Sequence, residues 1–254
     1  MNIKMIITDL DRTLLRTDKT ISGYTMDILR RLRAKGLRLV FATARPMRTV
    51  TQFLGDIPTD ALILHNGAVI YAGDKLLARY GIDAVVKDRI LKTLNRDYPG
   101  TTISVEIDDV NYANFDMKIE WDYDEGVISD FTNLPNKPAD KIIVGVSSHE
   151  DISRFGAYLP DDLYIQMCDG KLGLIMHKHA TKCTAVGDVC AHFCIPTAQA
   201  IAFGDDYNDI TMLQTCGIGV AVANAIDEVK ACADVICASN DDDGVAKWLE
   251  AHLL

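Results

Sequence analysis

The sequence lacks the features of several specialised classes of protein. Its 254 residues contain no apolar run near the roughly 18 residues that span a bilayer, and Asp9 and Asp11 interrupt the first apolar stretch before a signal-peptide core could form. Positive charge is not in excess, since 26 Lys and Arg against 36 Asp and Glu give a formal charge of −10. That sign disfavours binding to nucleic-acid phosphates. We expect a cytoplasmic protein without membrane or nucleic-acid partners, and the oligomeric state stays open.

The cysteines lack the pattern of a disulfide framework. There are seven of them, an odd number, all between residues 168 and 237 and mostly inside apolar segments. Such cysteines are expected to be buried thiols. A zinc site between Cys190 and Cys194 is disfavoured, because no second pair is present to complete four ligands.

What the sequence does have is the composition of an ordinary globular protein. Hydrophobic residues make up 48% of the chain and charged residues 24%, which excludes a disordered or fibrous protein. The chain is longer than most single domains, and this length slightly favours two domains over one.

Apolar stretches of strand length, each followed by a polar turn and a helical pattern, recur at both ends of the chain. The first is Lys4 to Thr8, followed by a helix with Ser22 as its N-cap and Gly36 as its stop. The stretches "LRLVFATAR", with Pro46 opening the next helix, and "ALILHNGAVIY" follow, and the pattern resumes at "AQAIAFGDDYND". It predicts an α/β fold, with a Rossmann-like, mainly parallel sheet flanked by helices.

The middle of the chain has a different pattern. It predicts helices over 83–95 and 149–159, strands over 101–106 and 141–147, and two further strands, "LYIQMC" and "LGLIMH", joined by a turn at 169–171. We therefore predict an inserted α+β domain over residues 81–180, within a core formed by residues 1–80 and 181–254. The stretch 108–138 has no clear pattern.

Polar residues follow four of the predicted core strands, at the edge where ligands bind to open parallel sheets. They are Asp9 and Asp11, Thr43 and Arg45, His65 and Asn66, and the turn that contains Asp205, Asn208 and Asp209. Acidic groups from two strand ends repel each other unless a cation neutralises them. Because the two acidic turns offer only oxygen ligands, we expect Mg²⁺.

A carboxylate beside Mg²⁺ can attack phosphorus to form an aspartyl-phosphate, while a second carboxylate protonates the leaving alcohol and then activates water. A lysine would meet the phosphoryl charge. Lys182, which opens a predicted helix, is favoured over the nearby Lys171 and Lys178.

These motifs resemble those of the haloacid dehalogenase superfamily of phosphohydrolases, and in particular its Cof-type branch, which has a large α/β cap. The resemblance rests on Asp9-Leu10-Asp11-Arg12-Thr13, on Thr43, on Lys182 and on "GDDYND". It implies that Asp9 is the nucleophile, that Asp11 is the general acid and base, and that Thr43 holds the phosphoryl group.

The same resemblance implies the ligands of the metal and of the substrate. Mg²⁺ would be bound by the Asp9 carboxylate, the Asp11 backbone carbonyl and Asp205, with Asp209 in support. Arg45, Asn66 and Asn208 would contact the substrate. The stretch "GIGVAVANA" also resembles this branch.

The sequence therefore predicts a magnesium-dependent phosphatase that hydrolyses small phosphate monoesters, such as sugar phosphates, through an aspartyl-phosphate. The inserted domain is expected to set substrate specificity. A phosphosugar mutase is the alternative within the same chemistry, and a non-catalytic sensor of phosphorylated ligands is a third reading.

Overall fold

The computed structural model describes residues 2–55, 57, 59–121, 126–168 and 170–254, with Trp121 described by its backbone alone. The strands and α-helices of these residues are, in chain order, β1 (Met5–Thr8), α1 (Gly23–Ala34), β2 (Arg38–Ala42), α2 (Met47–Leu54), β3 (Ala61–Leu64), β4 (Val69–Ala72), β5 (Lys75–Arg79), α3 (Ala84–Asp97), β6 (Ile103–Ile107), β7 (Val110–Ala113), α4 (Met117–Trp121), β8 (Val127–Ile128), β9 (Lys141–Gly145), α5 (His149–Gly156), β10 (Leu163–Cys168), β11 (Leu172–His177), α6 (Lys182–His192), β12 (Ala200–Gly204), α7 (Ile210–Thr215), β13 (Ile218–Val222), α8 (Asp227–Cys232), β14 (Val235–Cys237) and α9 (Gly244–Leu253).

The chain divides into two compact units. The first consists of the residues up to Ala78 together with Thr181–Leu254, and the second is Arg79–Ala180. The first unit carries an eight-stranded sheet in the order β14-β13-β12-β1-β2-β3-β4-β5. Strands β14 to β3 in this order are parallel, and β3 pairs with β4 antiparallel. The predicted α/β fold with a mainly parallel sheet is confirmed.

The central strands of this sheet are buried along their whole length, which is why they are almost entirely apolar. All residues of β1 and β12 are buried, as expected for strands covered on both faces. Helix α1 begins where Ser22 accepts a hydrogen bond from the Thr25 backbone, as the sequence predicts, and it ends before Gly36, whose φ is +89°.

The stretch "ALILHNGAVIY" is two strands rather than one. Between β3 and β4 the chain reverses through His65, Asn66 and Gly67, whose φ angles are 49°, 57° and 105°. Asn and Gly tolerate this left-handed conformation well. The predicted strand end at His65 and Asn66 agrees with this turn, whereas the antiparallel strand β4 that follows it was not predicted as a separate element.

The second unit is an α+β sheet of six strands in the order β10-β11-β9-β6-β7-β8. Its described pairs are antiparallel, except that β7 and β8 run parallel. The core is formed by side chains such as Ile90 and Leu91 of α3, Phe155 of α5 and Val105 of β6. The unassigned stretch contains β7, α4 and β8. The predicted turn at 169–171 includes Asp169, which lies outside the described residues, as do residues 122–125.

Two further expectations concern the whole chain. All seven cysteines are free thiols, but the expectation that they are buried was wrong for five of them. Only Cys190 and Cys216 are buried, whereas Cys194 is exposed and the other four are partly exposed, because an apolar neighbourhood in the sequence does not determine which way a side chain faces. In the described part of the chain, no helix combines the length and the apolar character that crossing a membrane requires.

Candidate active site

The adjacent strands β12, β1, β2 and β3 are parallel, so their carboxyl ends lie at one edge of the sheet. Asp205 follows β12, Asp9 follows β1, Thr43 follows β2, and the turn of His65 and Asn66 follows β3. The polar residues selected from the sequence therefore come from neighbouring strand ends, where ligands bind in open α/β sheets.

Three buried carboxylates form a cluster at this edge. One carboxylate oxygen from each of Asp9, Asp205 and Asp209 lies within 4.8 Å of the other two. The Lys182 ammonium donates hydrogen bonds to Oδ1 of Asp9 and to Oδ1 of Asp209, both at 2.6 Å. Because the Lys182 side chain is fully buried, this cation is held by the carboxylates and not by water.

Two glycines allow the backbone to approach closely around this cluster. A Cβ atom on Gly204 would lie 2.4 Å from Cβ of Asp209, and one on Gly67 would lie 2.3 Å from the carbonyl oxygen of Thr181. Thr181 is the N-cap of α6, the helix that Lys182 begins. Any larger side chain at these glycines would displace either the Asp209 carboxylate or the start of the lysine helix.

The carboxylate of Asp209 is further fixed by the turn that carries it. Its Oδ2 accepts hydrogen bonds from the backbone N–H groups of Asp205 at 2.9 Å and of Asp206 at 3.1 Å. Hydrogen bonds from N–H groups stabilise an ionised carboxylate. Asp209 is thus held by the turn on one oxygen and by Lys182 on the other.

Burial and mutual repulsion disfavour the charged forms of Asp9 and Asp205. Burial raises the pKa of Asp9 well above its usual range; Lys182 offsets part of this rise, and Asp209 adds to it. Burial also raises the pKa of Asp205 to about 6, although the Thr13 hydroxyl donates a hydrogen bond to its Oδ1 at 2.7 Å. These raised pKa values indicate that the cluster has too little positive charge to stabilise all of its carboxylates in the ionised form.

Among the described residues, Lys182 is the cation that hydrogen-bonds to the cluster, and the charge of Arg12 also acts to lower the pKa of Asp205. Burial alone would lower the pKa of Lys182, but the adjacent Asp209 and Asp9 outweigh burial and raise it. The lysine therefore stays protonated. Three carboxylates against one ammonium leave a negative site, and a cation is the natural addition to such a site.

Asp11 points to a different set of partners. Its carboxylate accepts two hydrogen bonds from the Arg45 guanidinium, at 2.6 and 2.7 Å, and one from Lys19 at 2.8 Å. Burial acts to raise the pKa of Asp11, but these two cations outweigh it and lower the pKa. In this arrangement Asp11 is an ionised carboxylate outside the cluster.

The remaining predicted residues are linked by short contacts. The Asn66 backbone N–H donates to the carbonyl of Thr43 at 2.9 Å, and the Asn208 amide donates to Oδ1 of Asn66 at 2.9 Å. The Thr43 hydroxyl accepts from the backbone N–H of Arg45 at 3.2 Å. These bonds connect the turns that follow β2, β3 and β12.

The sequence pattern of the haloacid dehalogenase-like hydrolases matches residues 6–249, nearly the whole chain. The chain belongs to this family. The family predicted from the motifs is therefore confirmed, and the acidic cluster lies on the residues that carry the resemblance.

Relatives with named activities include two phosphatases. The 5-amino-6-(5-phospho-D-ribitylamino)uracil phosphatase YitU of Bacillus subtilis is 29% identical, over 98% of this chain and 97% of its own length. The pyridoxal phosphate phosphatase YbhA of Escherichia coli is 24% identical, over the full length of both. Among solved structures, a sugar phosphatase of subclass IIB of the haloacid dehalogenase superfamily is 25% identical, has a TM-score of 0.84 and covers 98% of each chain.

The donor set of this hydrolase fits a hard divalent cation. The groups that could hold an ion are carboxylate oxygens, which Mg²⁺ prefers, and three carboxyl groups lie beside the single ammonium of Lys182. The fit thus rests on the chemistry of the cluster as well as on the motif.

Sequence reasoning missed two residues that contact the carboxylates of the site. Thr13 bonds Asp205, and Lys19 bonds Asp11. Asp209, which was predicted to support the metal ligands, lies in the cluster, where Lys182 bonds one of its oxygens and backbone N–H groups bond the other. Thr13 was within a quoted motif, but nothing in the sequence indicated that its hydroxyl bonds a carboxylate 192 residues away.

Proposed function

We propose that this phosphoric monoester hydrolase is a magnesium-dependent phosphatase of small phosphate monoesters, acting through a phosphorylated Asp9. The observation that carries the proposal is the buried contact of Lys182 with Asp9 and Asp209, beside Asp205. A buried lysine that bonds one oxygen of Asp9 holds that side chain in a fixed orientation. The same ammonium is close enough to attract a phosphoryl group bound at Asp9.

In the first step an oxygen of Asp9 attacks phosphorus, an Asp9–phosphorus bond forms, and the phosphorus–oxygen bond to the alcohol breaks. The alcohol leaves with a proton from Asp11. In the second step water attacks phosphorus, Asp11 takes the proton of that water, and inorganic phosphate leaves as the Asp9 carboxylate is restored. Thr43 and Lys182 hold the phosphoryl oxygens through both steps.

Asp11 can donate a proton only after its ion pairs change. Arg45 and Lys19 favour the ionised carboxylate, whereas the first step requires the acid. A bound phosphate dianion competes with Asp11 for the Arg45 guanidinium, because arginine forms the same paired hydrogen bonds with phosphate. We therefore expect substrate to draw Arg45 away from Asp11 and to raise the pKa of that carboxyl group.

The residues that would hold Mg²⁺ are Asp9 and Asp205 through their carboxylates and Asp11 through its backbone carbonyl, with Asp209 in support. When bound, the ion supplies the positive charge that this cluster lacks and offsets charge on the phosphoryl oxygens.

The substrate class is proposed from the relatives. The named ones act on a phosphorylated ribitylamino-uracil, on pyridoxal phosphate and on sugar phosphates, which share a single phosphate ester on a small polar molecule. We propose sugar phosphates or metabolites of similar size, with the inserted unit setting specificity.

The test is phosphate release from a panel of sugar phosphates, cofactor phosphates, nucleotides and p-nitrophenyl phosphate, in Mg²⁺ and in EDTA. We expect release in Mg²⁺ only, and its loss by at least about a thousandfold in Asp9→Asn, as for other catalytic nucleophiles. Asp206→Asn is the matched control. Asp206 is exposed and adjacent to the site, and its side chain accepts a hydrogen bond from the backbone N–H of Tyr207.

Three outcomes would contradict the proposal. Full activity of Asp9→Asn would exclude the phospho-Asp9 route. An isomerised sugar phosphate in place of free phosphate would favour the mutase, and binding of phosphorylated ligands without turnover would favour the sensor.

A further inference from the structure

We propose that Asn224 is a positioning residue that holds the catalytic loop of Asp11 to Thr13 in its working conformation. The proposal rests on the proposed function of that loop. Asn224 stands in the turn after β13, within the stretch "VANA". Its side-chain amide donates a hydrogen bond to the carbonyl oxygen of Arg12 at 2.7 Å, and its Oδ1 accepts one from the backbone N–H of Asn240 at 3.0 Å.

Arg12 is the residue of this loop that most needs an external hydrogen bond. It separates Asp11 from Thr13, and its φ of 60° and ψ of 5° lie in the left-handed region, which is unfavourable for a residue with a Cβ atom. Its side chain is exposed, so packing does not impose this conformation. The bond from Asn224 fixes the direction of the Arg12 carbonyl and hence the plane of the next peptide.

The orientation of that peptide matters on both sides of Arg12. On one side Thr13 donates its hydroxyl to Oδ1 of Asp205, a carboxylate of the acidic cluster. On the other side Asp11 is the proposed acid and base. A rotation at Arg12 would therefore move Thr13 away from Asp205 and change the direction of Asp11, without altering the chemical groups of the site.

Two further bonds extend the attachment of this loop. Asn240 is buried, and its amide donates to the carbonyl of Leu15 at 3.0 Å. In the same turn as Asn224, the backbone N–H of Ile226 donates to the carbonyl of Asp205 at 3.0 Å. The turn after β13 thus contacts the loop after β1 through Asn224 and the loop after β12 through Ile226.

The two hydrogen bonds of the Asn224 side chain can be tested with different variants. Asn224→Asp has the same shape and keeps an acceptor for the Asn240 N–H, but it places a carboxylate oxygen against the Arg12 carbonyl. Two acceptors repel, so this change removes the donor that the proposal requires and also adds a negative charge, which the neutral Asn224→Ala does not add. Asn224→Ala removes both bonds.

Asn114, in the second unit, offers a matched control. Its Oδ1 accepts from the backbone N–H of Ile103 at 2.8 Å, and its amide donates to the carbonyl of Thr101 at 3.0 Å. Asn114→Ala therefore removes the same two kinds of bond from a loop that carries none of the catalytic groups.

The experiment measures kcat, KM and the Mg²⁺ concentration for half-maximal activity with p-nitrophenyl phosphate, together with backbone hydrogen exchange of the peptide that covers residues 10–15. For both Asn224 variants we expect kcat to fall by about tenfold or more, the effect usual for residues that orient catalytic groups, with a smaller change in KM. Exchange over residues 10–15 should be faster. Asn114→Ala should match the wild type in kcat and in exchange at residues 10–15.

Wild-type kcat in Asn224→Asp, or equal falls in Asn224→Ala and Asn114→Ala, would overturn the proposal. If the wild type itself releases no phosphate, the proposed function fails. Hydrogen exchange then decides the positioning separately: unchanged exchange over residues 10–15 in Asn224→Ala would overturn it, and faster exchange would support it.

Discussion

Within the part of the chain that the structure describes, each unit buries one lysine completely, and the two lysines differ in their partners. Lys87, on α3 of the inserted unit, donates to the backbone carbonyls of Pro135 at 2.8 Å and Lys137 at 3.2 Å. It also lies 3.3 Å from a carboxylate oxygen of the half-exposed Asp88. Lys182, in the first unit, contacts two buried carboxylates of a cluster of three.

Lys87 is a buried charge with a structural role, whereas Lys182 is a buried charge with a functional role. Lys87 satisfies the carbonyls of an irregular segment and attaches it to α3, which is a sufficient reason for its burial. Lys182 leaves its own cluster short of positive charge, and two of the carboxyl groups have raised pKa values as a result of burial and repulsion. Such a deficit costs stability and is explained by a ligand that removes it.

Of the changes that distinguish the two lysines, Lys182→Met is expected to have the largest effect, and that effect is on catalysis. The change keeps most of the buried chain and removes the charge that contacts Asp9, so kcat for p-nitrophenyl phosphate should fall by at least about a hundredfold. Circular dichroism at the assay temperature establishes that the variant is folded. A folded Lys182→Met with kcat near that of the wild type would place Lys182 with Lys87 as a structural residue.

Asp205→Asn should stabilise the protein in EDTA at neutral pH. The pKa of Asp205 is raised in the folded state to about 6, against about 3.9 when unfolded. The folded state therefore binds more protons between these values, and stability falls as the pH rises through them. Removing the ionisable group should therefore raise the free energy of unfolding by about 3 kcal/mol above pH 7 and leave it unchanged below about pH 4.

Chemical denaturation at pH 4 and pH 8, with and without Mg²⁺, measures this effect. Asp140→Asn is the control, because burial also raises the pKa of Asp140 in the second unit to about 6. Both variants should gain stability at pH 8 in EDTA, but only Asp205→Asn should lose stabilisation by Mg²⁺. Equal stabilisation of Asp205→Asn and wild type by Mg²⁺ would contradict the assignment of the metal site.

Lys87→Met should have the smallest effect of the series and no effect on catalysis. The Pro135 and Lys137 carbonyls lose their donor, which should lower the free energy of unfolding by about 1–3 kcal/mol. Urea denaturation measures the loss, and kcat at 25 °C should equal that of the wild type. A fall in kcat as large as that of Lys182→Met would remove the distinction between the two lysines.

The sequence predicted those parts of the fold that repeat a local pattern. Strand stretches such as Met5–Thr8 are apolar because both faces of the sheet are covered, and Ser22 predicts the start of α1 by its side-chain oxygen. The polar residues His65 and Asn66 indicated the end of β3, but the sequence did not show that the chain reverses there into the antiparallel β4, because the reversal depends on the left-handed φ angles of His65, Asn66 and Gly67.

The site was predictable as a set of residues and less so as a geometry. Parallel strands bring Asp9, Thr43 and Asp205 to one edge, and the motif order selected Lys182. What the sequence does not determine is which way a carboxylate turns. Asp11, two residues from Asp9, turns to Arg45 and Lys19, and this depends on long-range contacts that no local pattern encodes.

The most direct test of the central claim is detection of the phosphoryl group on Asp9. Protein mixed with substrate and Mg²⁺ is quenched in acid, treated with borohydride to reduce any acyl phosphate, and digested for mass spectrometry. If Asp9 is the nucleophile, a reduced residue is expected at position 9, dependent on substrate and on Mg²⁺ and missing from Asp9→Asn. Phosphate release without modification at position 9, in both the wild type and Lys182→Met, would contradict a phosphorylated Asp9. Modification at another carboxylate would contradict it as well.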